Sequence, residues 1–298
     1  MLPAFVITGF LGSGKTTLLL NSAREHFNSK RVAVIVNELG EVGVDGKVLK
    51  NGYSEVLELP EGCICCTIHS EFEKALSEIK SRYNPEVLLV ETSGGAVPFP
   101  VVVSLQALGC SVEGVICLID AKNFHRYKQD STAKYQIGGS NVLVLNKTDL
   151  VSKEELENIE KEVREIWKLY KPVNTFTGEP LYKNFVLYKT TYGRLPAVVF
   201  SGAYTLEDLK QFGQEHTNHN HSYKVLNLLE PVSYEELERR IKDLPPEVIR
   251  VKGIVRLKNM PYPIVVNYAF GNLDLSTEVK DYTGPSFLVL IFYSEQKL

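Results

Sequence analysis

Apolar and polar positions divide the first two thirds of the chain into short strand-like runs separated by helical stretches. Ala4-Phe5-Val6-Ile7-Thr8, Arg31–Val36, Val87–Val90, Val115–Ile119 and Val142–Leu145 are nearly continuous apolar runs, as expected of strands buried on both faces. Glu55–Leu59 alternates like a half-buried strand. Thr17–Arg24 reads as the first turns of a helix, and Ser70–Arg82 spaces Phe72, Ala75, Leu76 and Ile79 along one helical face. Such alternation predicts an α/β domain with a mostly parallel sheet covered on both faces. On sheets of this kind ligands sit at the carboxyl ends of the strands.

The grammar changes late in the chain. From Ser201 to Ser222 the core pattern lapses into a short polar helix and a histidine-bearing loop, read as a linker. Val225–Leu228, a helix Tyr234–Leu244 opened by Ser233 with Glu236 three positions on, and strands at Val248–Val255, Ile264–Tyr268 and Phe287–Tyr293 then predict a small α+β domain. The expected division is 1–212 for the first domain, 213–222 for the linker and 223–298 for the second.

Composition adds exclusions. A net charge of -3 without a basic block gives no electrostatic case for nucleic acid or an anionic membrane. The run Phe287–Tyr293 is too short to span a bilayer, and no signal peptide fits the N-terminus, so a cytoplasmic protein is expected. Three of the five cysteines crowd into Cys63, Cys65 and Cys66, which in a reducing compartment points to metal or redox chemistry rather than a disulfide framework.

The candidate chemistry falls at strand ends. Gly9-Phe10-Leu11-Gly12-Ser13-Gly14-Lys15-Thr16 fits G-x-x-x-x-G-K-[ST] at every fixed position, between a strand and a helix. Its glycines let backbone N–H groups wrap a phosphate, with Gly9, Gly12, Ser13, Gly14 and Thr17 as binding positions. Lys15 is placed to reach the β- and γ-phosphates and the Thr16 hydroxyl to ligate Mg²⁺. A nucleoside triphosphate ligand follows. Asn146-Lys147-Thr148-Asp149 directly follows the strand ending at Leu145. In N-K-x-D the carboxylate accepts from guanine and the lysine stem packs on the base; alone, the tetrapeptide also makes an ordinary capping turn. After a phosphate loop it selects GTP and GDP.

Glu91 opens Glu91-Thr92-Ser93-Gly94. Its carboxylate can hold Mg²⁺ directly or through water, and the Gly94 amide can meet the γ-phosphate. Asp120 admits two readings, a site residue or the cap of a following helix. Glu38, Glu41, Asp45 and Glu91 are all candidates to orient an attacking water. Thr177-Gly178-Glu179-Pro180 is a candidate for further backbone contacts to the base.

Cys63-Ile64-Cys65-Cys66 offers clustered thiolates, which favour zinc or copper(I) over magnesium or calcium. The three converge only if the chain turns, as Pro60 and Gly62 allow. Glu38, His69 or water would complete the shell, which suits a metal taken up and passed on. A redox switch and unreactive loop thiols are the other readings. His216, His219 and His221 form H-x-x-H-x-H, a transient zinc site or a solvated polar loop. Cys117 lies in an apolar strand and reads as core.

Together these motifs resemble the CobW-like family of metal-associated phosphate-loop GTPases. The resemblance runs through Gly9–Leu19, Asn37–Asp45, Gly62–Cys66, Glu91–Gly94, Asn146–Asp149, the histidine loop and Arg250-Val251-Lys252-Gly253. It implies a three-layer nucleotide domain with a small C-terminal domain, and slow GTP hydrolysis coupled to delivery of zinc or cobalt to a client metalloprotein. Within it Glu38, Cys65 and Cys66 match the metal-binding positions, with Cys63 the third thiol, and Lys15, Thr16, Glu38 and Glu91 are the candidate catalytic set. The chain departs from the family in having Gly95-Ala96-Val97-Pro98 where an Asp-Pro often follows, and in its short histidine loop. A nucleotide-binding metal store or sensor without turnover is the alternative.

Overall fold

The computed structural model describes residues 1–27, 30–37, 53, 55–59, 69–173, 178–203, 223–277 and 279–292. The chain separates into two compact units: Met1–Leu181 with Leu187–Ala203, and Tyr182–Val186 with Tyr204–Leu298.

The first unit is built on a seven-stranded sheet in the order β3-β2-β4-β1-β5-β6-β7. Its strands are β1 (Leu2–Thr8), β2 (Val32–Asn37), β3 (Glu55–Leu59), β4 (Val87–Glu91), β5 (Cys110–Asp120), β6 (Val142–Asn146) and β7 (Val186–Lys189). β1 pairs in parallel with β4 and β5, β2 with β3 and β4, and β5 with β6. This is the three-layer α/β arrangement that the apolar runs imply. Phe5, Ile7, Leu89 and Leu143 are wholly buried because both sheet faces are covered.

The covering helices follow their apolar stripes. His69–Tyr83 buries Phe72, Ala75, Leu76 and Ile79, and Lys153–Tyr170 buries Leu156, Ile159, Val163 and Trp167. Ser152 caps the latter by accepting from the Glu155 amide at 3.2 Å. Beneath β1, Phe5 meets Phe27 and Phe200 at ring-centroid distances of 6.1 and 5.5 Å, and Phe27 and Phe200 meet at 5.2 Å. Thus aromatic packing seats the strand that delivers the phosphate loop.

Three local readings are corrected. The helix after the phosphate loop starts at Lys15 and is interrupted: α-helix Lys15–Leu18 passes into a π turn, Leu19–Ala23, before Arg24–His26. The Tyr53 hydroxyl donates to the Leu19 carbonyl, a partner that a widened turn leaves room for. β5 begins at Cys110, not Val115, because its first residues pair with Leu2–Ala4 across a bulge at Ala4/Phe5. Ser201 does not open a polar stretch. With Gly202 and Ala203 it closes a buried 3₁₀ turn, Ala197–Ala203. The histidine-bearing segment 213–222 lies outside the described residues.

The second unit carries an antiparallel sheet in the order β11-β10-β9-β12-β8. The strands are β8 (Tyr223–Leu228), β9 (Val248–Val255), β10 (Ile264–Ala269), β11 (Asn272–Ser276) and β12 (Ser286–Phe292). Helix Tyr234–Lys242, capped by Ser233 accepting from the Glu236 amide, contributes Leu237 and Ile241 to a core with Val251, Val255, Val266 and Leu288. At Gly253 a Cβ would lie 2.9 Å from Leu288 Cα, so β9 and β12 pack too closely there for a side chain. No helix among the described residues is long and apolar enough to cross a membrane.

Candidate functional site

β1 leads directly into the phosphate loop. Gly9, Gly12 and Gly14 have φ values of 143°, 74° and 100°, a region where side chains are strained. Space excludes a side chain as well at two of them. A Cβ at Gly9 would collide with the Leu118 carbonyl, and one at Gly14 would lie 2.5 Å from Asn146 Nδ2. The buried Lys15 ammonium donates to the Gly9 carbonyl at 3.1 Å, so it is held over the loop. Ser13 Oγ is buried without a hydrogen-bond partner among the described residues. An orphaned hydroxyl inside a glycine cradle fits a phosphate oxygen.

Thr16 and Glu91 come together although 75 positions separate them. The hydroxyl donates to Glu91 Oε1 at 3.2 Å, and Glu91 is buried at the end of β4. A hydroxyl and a carboxylate converging beside a phosphate loop are oxygen donors of the kind Mg²⁺ takes. Next along, Thr92 Oγ1 donates to Thr8 Oγ1 at 3.0 Å, tying the start of this loop to the end of β1. Gly94 lies against the phosphate loop: a Cβ there would be 2.9 Å from the Leu11 amide nitrogen.

The segment Asn146–Asp149 is fastened to the phosphate loop by two side chains. Asn146 Nδ2 donates to the Ser13 carbonyl at 2.9 Å. Lys147 Nζ donates to the Gly12 carbonyl at 2.7 Å and pairs with Asp120 at 2.7 Å. Asp120 is not the cap of the following helix, Phe124–Tyr127, whose N-cap is Asn123 without a side-chain cap hydrogen bond. Its carboxylate accepts from the Asn123 backbone and side chain at 3.2 and 2.9 Å and also holds Lys147. Burial pushes its pKa up, but the hydrogen bonds from Lys147 and Asn123 outweigh that and hold it below the ordinary range. The Asp120 amide in turn donates to the Tyr127 hydroxyl at 2.8 Å, and the Tyr127 ring stacks on Phe10 at 4.7 Å. Asp149 is exposed in the 3₁₀ turn Thr148–Leu150.

A loop not singled out in the sequence completes this edge. Thr190 follows β7, its carbonyl accepting from Thr148 N and Oγ1 at 3.2 and 3.1 Å. The Gly193 amide donates to Asn146 Oδ1 at 3.1 Å. Pro180 forms an isolated bridge with Val173, and Thr177 lies outside the described residues. The available signal was Tyr192-Gly193 directly after a short strand. Cys117 is core as expected, and burial pushes its thiol up to about 12, so it stays protonated and inert.

Glu38, Glu41, Asp45, Cys63, Cys65, Cys66, His216, His219 and His221 lie outside the described residues. Among the described residues no group of three His, Cys, Asp or Glu side chains could hold a metal ion. The strand ends that frame the first of these segments are in place. β2 ends at Asn37, one residue before Glu38, and Asn37 is in register with Leu59, the last residue of β3. Both strands point their carboxyl ends to the edge where β1 gives rise to the phosphate loop, with β4 between.

Residues 3–174 match the CobW/HypB/UreG nucleotide-binding domain. The chain belongs to that family. Residues 224–297 match the cobalamin synthesis protein cobW C-terminal domain, so both units have counterparts within it. Among relatives, a zinc chaperone CobW of Pseudomonas aeruginosa is 29% identical over 89% of this chain and 80% of its own length. A zinc chaperone CobW of Sinorhizobium is 33% identical over 54% of this chain and 55% of its own. The zinc-regulated GTPase metalloprotein activator 1 of Schizosaccharomyces pombe is 34% identical over 72% of this chain. The chain spans about half the length of the last two, at 55% and 51%.

Proposed function

We propose that this CobW-family chain hydrolyses GTP and uses its nucleotide state to govern binding of zinc, or cobalt, and its delivery to a client metalloprotein in the cytoplasm. The observation that carries the reading is the double attachment of Asn146 and Lys147 to the backbone of the loop that bears Lys15 and Thr16. A base-selecting segment and a phosphate cradle locked at fixed spacing bind one ligand end to end. Relatives named as zinc chaperones support zinc as the cargo.

In this reading Lys15 gives up its hydrogen bond to Gly9 for the β- and γ-phosphates, and Ser13 Oγ finds a phosphate partner. Asp149 accepts from guanine, while the Lys147 stem covers the base. Adenine would set an acceptor against that carboxylate, at about 1–3 kcal/mol for an unpaired buried contact. Thr16 and Glu91 hold Mg²⁺, which supplies charge neutralisation at the γ-phosphate oxygens. The Gly94 amide meets the γ-phosphate.

Cys63, Cys65, Cys66 and Glu38 take the cargo metal, and His216, His219 and His221 serve as an auxiliary set in the linker between a 1–212 nucleotide domain and the 223–298 domain. The register of Asn37 with Leu59 supports this assignment, because both metal-ligand segments depart from neighbouring strand ends at the nucleotide edge. Segments so placed are those that rearrange with the γ-phosphate.

Phosphate release from GTP, measured with and without zinc, tests the reading. Release is expected from the native protein, with excess ATP competing poorly, and not from Lys15→Ala. No release under any condition would contradict it.

A further inference from the structure

Gln136 lies in the helix Ser131–Gly138, away from every phosphate-loop motif, yet it reaches the loop after β4. Its single side-chain nitrogen donates to the carbonyls of Gly94 and Ala96, at 3.0 and 2.9 Å. An amide nitrogen has two protons, and both are spent here. Turning the amide over would set its oxygen against two carbonyls, so the side chain has one orientation. The residue is buried, and its Oε1 has no partner among the described residues. A buried acceptor without a partner costs about 1–3 kcal/mol, which the two donated hydrogen bonds must offset.

Its support is rigid. Ser140 Oγ donates to the Gln136 carbonyl at 2.7 Å, and the Ser140 carbonyl accepts from Trp167 Nε1 at 2.7 Å. One residue before Ser140, a Cβ at Gly139 would lie 3.0 Å from Pro98 Cγ, so the helix end also presses on the chain that leaves Gly94. Gly94 also abuts Leu11 of the phosphate loop. Gly94 is thereby held between the phosphate loop and Gln136.

We infer that Gln136 is a positioning residue for GTP hydrolysis: by holding the Gly94 and Ala96 carbonyls it fixes the chain just after Gly94, and so sets where the Gly94 N–H, in the preceding peptide, meets the γ-phosphate. This rests on the role of Gly94 given above. GDP has no γ-phosphate, so loss of the clamp must separate the two nucleotides. A residue that only supported the fold would affect both alike.

The test compares native protein with Gln136→Met, which keeps length and burial but loses both donors, and with Ile137→Val as a buried control in the same helix. Affinities for GDP and a non-hydrolysable GTP analogue are measured by titration, and kcat by single turnover. Gln136→Met is expected to bind GDP within about threefold of native, and to lose about tenfold or more in analogue affinity and in kcat. Ile137→Val is expected to melt earlier with the ratio of the two affinities unchanged. If Gln136→Met does not fold, Gln136→Asn, one methylene shorter, carries the comparison with the same expectation. Equal changes for both nucleotides, or an unchanged kcat, overturn the inference alone. Native protein that binds GTP and GDP without any influence of the γ-phosphate overturns the role of Gly94 and the inference with it.

Discussion

The ammonium of Lys147 and the carboxylate of Asp120 lie 2.7 Å apart, and the same ammonium donates to the Gly12 carbonyl. The pair joins the ends of two adjacent strands, β5 and β6, to the phosphate loop. Asp120→Asn keeps the shape and removes the charge. A charge-assisted hydrogen bond contributes about 1.5–3 kcal/mol, so nucleotide affinity is expected to fall about tenfold or more. GTP and GDP should weaken equally, because the contact serves the end of the ligand they share; titration with each nucleotide checks this.

The same pair gives a pH dependence. The folded pKa of Asp120 is depressed, so the unfolded chain takes up the proton first as pH falls. The stability it contributes is present above the ordinary aspartate value of about 3.9 and is lost as pH drops through the lower folded value. Native protein is therefore expected to lose more stability than Asp120→Asn below pH of about 4, and the two should run parallel near neutrality. Urea unfolding across that range is the measurement.

Gly9 and Gly12 are expected to respond differently to alanine. At Gly9 the new Cβ collides with the Leu118 backbone, whereas at Gly12 nothing lies within 4 Å. Gly12→Ala meets only the left-handed strain of about 1–2 kcal/mol, while Gly9→Ala must also displace β5 or the loop. Nucleotide titration should find binding abolished in Gly9→Ala and merely weakened in Gly12→Ala.

Phe200 is a test of the scaffold alone. It is wholly buried against Phe5 and Phe27 and belongs to none of the site motifs. Phe200→Ala is expected to cost about 3–5 kcal/mol by denaturant unfolding. The GTP-to-GDP affinity ratio of the protein that remains folded should not change.

The strands of the first sheet were legible because Phe5, Leu89 and Leu143 belong to unbroken apolar runs that only a doubly covered sheet can bury. Helix Ser131–Gly138 was not, since its buried positions include Gln136, Gly138 and only one long aliphatic, Ile137. β7 was missed for its four-residue length, and β11 because its apolar face is only Leu273 and Leu275, two half-buried side chains in a five-residue edge strand. In the candidate site, Lys15, Thr16, Glu91 and Asn146 stood out as members of fixed-spacing motifs. The attachments that hold them did not. Asn146 to Gly193, Lys147 to Asp120 and Gln136 to Gly94 join residues whose proximity is made by strand order. Sequence spacing carries no trace of it.

The most direct test of the proposed coupling is zinc affinity in the two nucleotide states, by competition titration of protein loaded with GDP or with a non-hydrolysable GTP analogue. Coupled sites differ by about 5- to 150-fold, and the linkage is reciprocal, so zinc should shift the ratio of nucleotide affinities by the same factor. The difference is expected to vanish in Cys65→Ser with Cys66→Ser. Equal zinc affinity in both nucleotide states would contradict the account.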